Sequence, residues 1–90
     1  MKYFDWNDEK NEWLKTHRGI GFEDIVIEIS NGNLLDLLVH LNKEKYPNQK
    51  ILYVEKDDYV YTVPYVEDKE KVFLKIIIPD RKATKKYLRK

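Results

Sequence analysis

The sequence predicts one α+β domain: two helices, then a four-stranded antiparallel sheet, then one basic helix. Apolar residues recur at helical spacing in the first third of the chain. Segments rich in β-branched and aromatic residues follow, separated by turn-forming residues. A chain of 90 residues buries only about 60 to 65% of its unfolded surface, so we expect residues 1–90 to share a single core.

Capping residues and apolar spacing predict the first two helices. Asn7 or Asp8 caps a helix that runs to about His17, and Gly19 ends it. A second helix is expected over Phe22 to Ser30, where apolar residues lie three and four positions apart. Its Ile and Val residues also suit a strand, but the Asn-Gly pair that follows is typical of a helix C-cap.

The sheet is predicted from four segments. Leu34 to Leu41 suits a helix or a strand, and its position after a glycine turn favours a strand. Further strands are expected over Lys50 to Lys56, Tyr59 to Val66 and Val72 to Ile78. Asp57 and Asp58 form a tight turn between two of them. Pro64 is expected near a strand end, at a bulge, or with its nitrogen turned away from a neighbouring strand.

The end of the chain is a basic helix on an otherwise acidic protein. Pro79 ends the last strand and Asp80 caps a helix from Lys82 to about Arg89. Residues 81–90 hold six basic and no acidic side chains, whereas residues 1–80 hold 11 basic and 16 acidic ones. Clustered cations of this kind attract polyanions such as nucleic acids, although a solvated helix has the same composition.

Several functional classes lack support in the sequence. There is no cysteine, which excludes disulfides and thiolate metal sites and suits the reducing cytoplasm. No apolar run approaches the roughly 20 residues of a membrane helix, and the N-terminus does not look like a secretion signal. Glycine-rich phosphate loops and zinc-binding helix motifs are missing too, so we expect neither a metal nor another cofactor.

Two segments, WNDEKNEWLKTHRGIGFEDI from Trp6 and IIPDRKATKKYL from Ile77, resemble the BrnT-type ribonuclease toxins. The first segment is similar to a family start in which Trp-Asp-x-x-Lys leads to a Lys-His-Gly turn and a Phe-Glu helix. The second segment is similar to the family's last strand and its Arg-x-Ala-Thr/Ser helix. The chain differs at Asn7, where the family has Asp, at an inserted Arg18, and at Pro79, where the family has Ser.

The resemblance implies a fold, an activity and a partner. The fold would be RelE-like, and the activity would be metal-independent cleavage of RNA that arrests translation. A small DNA-binding antitoxin, often of the ribbon-helix-helix type, would neutralise the toxin in a hetero-oligomer. Composition leaves a rival interpretation open, in which the basic helix belongs to a non-enzymatic module that binds nucleic acid or an acidic protein.

Metal-free RNA cleavage needs a base, an acid and fixed cations beside the phosphate. Arg81 is the principal candidate, because a guanidinium binds two phosphate oxygens and keeps its charge; the alternative is a salt bridge with Asp80 or a glutamate. His17 and Tyr87 are the candidates for proton transfer, and His40 is a weaker one. The predicted RNA-binding residues are Lys75, Lys82, Lys85, Lys86 and Arg89, with Lys85 one turn along from Arg81.

The aromatic residues divide into two groups. Phe4, Trp6, Trp13 and Phe22 are predicted to lie in the core, because a small domain needs large side chains there. Tyr59, Tyr61 and Tyr65 alternate along one face of a strand, which is either covered by helices or open to an RNA base.

Overall fold

The computed structural model describes residues 2–39 and 49–88, which form three helices and one mixed sheet. The helices are α1 (Asp8–Arg18), α2 (Phe22–Ser30) and α3 (Arg81–Leu88). The strands are β1 (Tyr3–Trp6), β2 (Leu34–Val39), β3 (Gln49–Lys56), β4 (Tyr59–Glu67), β5 (Lys71–Leu74) and β6 (Ile78–Pro79). The predicted α+β class is confirmed, and α2 has the predicted bounds.

The sheet has the order β1-β5-β4-β3-β2, and β6 pairs with β4 beyond the end of β5. The β2–β3, β3–β4, β4–β5 and β4–β6 pairs are antiparallel, whereas β1 runs parallel to β5. Val63 and Tyr65 point into a core shared with α1 and α2. The alternate residues Val60 and Thr62 lie on the opposite face, where α3 packs.

The prediction of a four-stranded, purely antiparallel sheet is wrong. The sequence did not predict β1, because this strand has only four residues and its partner β5 lies far along the chain. Phe4 of β1 lies opposite Val72 of β5. The predicted strand from Val72 to Ile78 is also interrupted, because β5 ends at Leu74 and β6 begins at Ile78.

Pro64 accounts for this interruption. Its carbonyl accepts a hydrogen bond from Lys75 N at 2.8 Å, on the side of β4 that faces β5 and β6. Because N and O of a residue in an antiparallel strand point to the same side, the Pro64 nitrogen faces the gap between these two strands. The nitrogen is thus turned away from the neighbouring strand β3, which was one of the three placements predicted for Pro64.

The predicted caps and turns are present. Asn7 Oδ1 accepts from Lys10 N at 2.9 Å, and Gly19 ends α1 in the left-handed conformation at φ 69°. Asp57 and Asp58 have φ values of 54° and 62° in the tight turn between β3 and β4. Such values are typical of a type I′ turn, and aspartate is among the residues that tolerate them.

Asn11 joins α1 to α2. It is buried, and its Oδ1 accepts from Phe22 N at 2.7 Å while its Nδ2 donates to Glu23 Oε2 at 2.8 Å. Lys15 Nζ lies 3.1 Å from the same Glu23 oxygen. The side chain of Asn11 thereby satisfies one of the backbone N–H groups that the start of α2 leaves without a helical partner.

The main core lies between α1, α2 and the sheet. Leu14, Phe22, Ile25 and Leu74 are fully buried there, and Trp6 stacks on Phe22 with ring centroids 5.8 Å apart. The prediction that Trp13 belongs to this core is wrong, because its side chain is 45% exposed. Within residues 2–39 and 49–88, no helix has the length and apolar character needed to cross a bilayer.

We predict that two isoleucines of α2 differ sharply in their effect on stability. Ile25 is fully buried, so Ile25→Ala should lower the free energy of unfolding by about 2 to 5 kcal/mol. Ile27 is 55% exposed, and Ile27→Ala should cost well under about 1 kcal/mol. Urea unfolding followed by circular dichroism measures both. Equal losses would contradict the placement of α2 on the sheet.

Candidate nucleic-acid interface

Helix α3 begins where the sequence predicts a cap. Asp80 Oδ1 accepts a hydrogen bond from Ala83 N at 2.9 Å, and Pro79 immediately precedes Asp80. The helix therefore starts at Arg81, one residue earlier than predicted. Its apolar contact with the sheet is small, because the buried residues of α3 are Ala83 and Thr84.

Hydrogen bonds to both backbone groups of Val60 hold α3 on the sheet. Val60 N donates to Thr84 Oγ1 at 2.9 Å, and Val60 O accepts from Asp80 N at 3.0 Å. The Thr84 hydroxyl also donates to Asp80 O at 2.8 Å, so both of these hydrogen bonds of Thr84 lie within the junction. We call these three hydrogen bonds the Val60 clamp. The clamp fixes the rotation of α3 about its axis, and so decides which side each cation takes.

The cations of α3 lie on two flanks. Arg81 and Lys85 are one turn apart and line a depression of about 380 Å³ together with Tyr59 and Thr84. We call this depression the arginine site. Arg81 and Lys85 are exposed, whereas Thr84 is buried beneath them. The structure thus brings Arg81 together with Lys85, the partner that the sequence predicts.

Lys82 and Lys86 line a different depression, of about 260 Å³, on the other flank. Tyr53, Asp80 and Tyr87 line it too. The Tyr87 hydroxyl donates to Asp36 Oδ2 at 2.6 Å, and this hydrogen bond, helped by burial and by the Asp36 charge, raises the pKa of Tyr87 to about 12. A phenol in this state holds its proton at neutral pH and directs it at a carboxylate, which argues against Tyr87 as a proton carrier.

The two flanks differ in electrostatic character. Carboxylates of Asp80 and Asp36 lie at or beside the Lys82 and Lys86 depression, whereas the described residues lining the arginine site include none. In residues 2–39 and 49–88, no ion pair within 4.0 Å involves a cation of α3. The predicted alternative of an Arg81–Asp80 salt bridge is therefore not observed, and the arginine site is the more favourable place for a phosphate.

The remaining predicted residues lie elsewhere. His17 is on α1, where its ring stacks on Trp13 at a centroid distance of 4.5 Å and its Nδ1 lies 3.0 Å from Trp13 O. Lys75 follows β5 and lies beside Phe73, with Nζ 5.6 Å from the ring centroid. Neither residue lines the arginine site. His40 and Arg89 lie outside the described residues.

Sequence analysis missed several residues of the interface. Asp36 was not singled out, because it meets Tyr87 across 51 positions of the chain and no local pattern connects them. Thr84 belongs to the motif that carries the family resemblance, but its role in the Val60 clamp depends on the sheet. Tyr59 was noted only as one of three alternating tyrosines, and of these Tyr65 is buried in the core.

The arginine site offers two exposed cations and a phenol. These groups suit an anion with several oxygen atoms, such as a phosphodiester. Within the described ranges 2–39 and 49–88, no three His, Cys, Asp or Glu side chains are grouped so as to hold a metal ion. No protein-family model, curated protein or solved structure matches the chain.

We predict that Thr84→Val destabilises the protein more than Thr62→Val. Thr84→Val keeps the volume but leaves Val60 N buried without a partner, which should cost about 1 to 3 kcal/mol. The control residue Thr62 is also buried, but its hydroxyl reaches Ile78 O at only 3.4 Å, so its loss should cost less. Urea unfolding compares the two. A smaller loss for Thr84→Val would contradict the Val60 clamp.

The raised pKa of Tyr87 can be measured by titrating its phenol. The difference in phenolate absorbance between the wild type and Tyr87→Phe should titrate near pH 12 rather than near the ordinary 10.0. Because the folded-state pKa is raised, the stability that Tyr87 contributes is complete below about pH 10 and is lost as the pH rises toward 12. A difference spectrum centred at pH 10 would show that the hydrogen bond to Asp36 does not form.

Proposed function

We propose that this protein is the toxin of a type II toxin–antitoxin pair, a metal-independent endoribonuclease that acts in the cytoplasm. The observation that carries the proposal is the arginine site, where Arg81 and Lys85 share a depression lined by no described carboxylate. The resemblance of both chain ends to BrnT-type toxins supports the same function, because Arg81 is the arginine of the Arg-x-Ala-Thr/Ser motif. We propose a RelE-like fold on the same resemblance.

The proposed reaction is an attack of the RNA 2′-oxygen on the neighbouring phosphorus. The 2′-O–P bond forms and the P–O5′ bond breaks, while water takes the proton of the 2′-hydroxyl and water gives a proton to the leaving 5′-oxygen. The products carry a 2′,3′-cyclic phosphate and a 5′-hydroxyl. Negative charge grows on the phosphoryl oxygens during the attack, and the Arg81 guanidinium and the Lys85 ammonium would offset it. Tyr59 supplies a hydroxyl and an aromatic ring at the same site.

The proposal includes a protein partner, a small antitoxin that binds the toxin in a hetero-oligomer. The outer strand β2 supports this part of the proposal, because Leu34, Leu37 and Leu38 on it are between 39 and 48% exposed. An exposed edge strand with apolar side chains is a common place for another chain to add. We further propose that the antitoxin is a DNA-binding protein, often of the ribbon-helix-helix type, as the family resemblance implies.

One observation favours the rival function, a module that binds nucleic acid without cutting it. The predicted proton carriers, His17 and Tyr87, do not line the arginine site, and both of their side chains have other partners. The two functions share the contact between α3 and the phosphate backbone. They differ in whether bound RNA is cut.

RNA cleavage in the presence of EDTA tests the proposal. The wild type should cut a structured RNA into fragments with cyclic phosphate ends, and Arg81→Ala should cut it about 10²- to 10³-fold more slowly. Lys69→Ala is the matched control, because Lys69 is an exposed cation in the loop between β4 and β5 and should leave the rate unchanged. Intact RNA, with retained binding of 2′-O-methyl RNA, would contradict the nuclease and support the binding module.

A further inference from the structure

Another cleft lies where α1 approaches β5, apart from the two depressions on α3. Its volume is about 650 Å³, within the usual range of roughly 300 to 1,000 Å³ for small-molecule sites. Trp13 and Phe73 line it together with Lys10 and Lys75, and Glu9 contributes a carboxylate. We call it the tryptophan cleft. The α3 cations do not line it, so whatever it binds is recognised by other side chains.

The aromatic residues of the tryptophan cleft are only partly covered by protein. Trp13 is 45% exposed, although it is one of only two tryptophans in the chain. His17 stacks on its indole at an interplanar angle of 18°, and the Arg18 guanidinium carbon lies 5.4 Å from the ring centroid. Arg18 also donates to Ile77 O. These contacts hold the indole in a fixed orientation, and the part of Trp13 that stays exposed borders the cleft.

Cations surround the second aromatic ring as well. Lys71 Nζ and Lys75 Nζ lie 5.8 and 5.6 Å from the centroid of Phe73. Lys71 also reaches Asp5 at 3.5 Å, whereas in the described part of the chain neither Lys75 nor Lys10 has an ion-pair partner within 4.0 Å. Two aromatic rings with cations beside them match the two parts of a nucleotide, a flat base and an anionic phosphate.

We propose that the tryptophan cleft binds one nucleotide of a single-stranded RNA, with the base stacked on Phe73 and packed against the exposed part of Trp13, and with the phosphate near Lys10 and Lys75. Glu9 lies in the same cleft and can accept hydrogen bonds from base N–H groups. His17 is then a positioning residue that orients Trp13, and not a proton carrier. This inference goes beyond the proposed function, because it requires binding of a base whether or not RNA is cut.

Trp13 fluorescence in a Trp6→Phe chain tests the proposal, because Trp13 is then the sole tryptophan. The probes are a 2′-O-methyl hexaadenylate, which has bases but cannot be cleaved through its 2′-oxygen, and tripolyphosphate, which has no base. We expect the oligonucleotide to quench Trp13 and tripolyphosphate to leave it unchanged. Equal quenching by both probes, or quenching by neither, would overturn the proposal.

Three further variants of the Trp6→Phe chain test whether this site is separate from the arginine site. Phe73→Leu should weaken the fluorescence-detected affinity by about 5- to 100-fold, the range for loss of one stacking contact. Tyr3→Leu is the control, because Tyr3 is a 56% exposed aromatic residue that does not line the cleft. Arg81→Ala should slow cleavage about 10²- to 10³-fold but still allow quenching. Loss of quenching in Arg81→Ala, or equal affinities of Phe73→Leu and Tyr3→Leu, would contradict a separate base site.

Discussion

The Val60 clamp is the constraint on which the surface chemistry of this protein depends. Helix α3 has eight residues, and only Ala83 and Thr84 are buried, so packing alone gives it little hold on the sheet. Hydrogen bonds to the N–H and carbonyl of one β4 residue fix the start of the helix, and Tyr87, which lies beside Tyr53 and donates to Asp36, fixes its other end. Because Val60 lies at the start of β4, directly after the tight turn, the hairpin of β3 and β4 also sets the position of α3.

The fixed rotation of α3 gives its two flanks different properties. On one flank, Lys82 and Lys86 lie with Asp80 and near Asp36, so part of their charge is offset. On the other flank, Arg81 and Lys85 lie over Thr84 and beside Tyr59. Because Thr84 is part of the clamp, it helps to determine which cations of α3 remain available for an anionic ligand.

The sequence predicted what local signals determine, and failed where partners lie far apart. The caps at Asn7, Gly19 and Asp80 and the turn at Asp57 place α1, α3 and the central hairpin, because each depends on neighbouring residues. The parallel strand β1 and the break after β5 depend on pairing across the sheet, which no local pattern encodes. Likewise, spacing predicted that Arg81 and Lys85 share a face, but it did not predict that Tyr87 meets Asp36 or that Trp13 lies at the surface.

The central claim is that a phosphate binds at the arginine site, on the flank of α3 that the Val60 clamp presents. Nuclear magnetic resonance of the isotope-labelled protein, titrated with a 2′-O-methyl oligonucleotide, tests it most directly. The account predicts that the side-chain Nε–H signal of Arg81 and the backbone amide of Lys85 shift with increasing ligand, while the amides around Asp36 stay in place. Shifts confined to the Lys82 and Lys86 flank, or no shifts in α3, would contradict it.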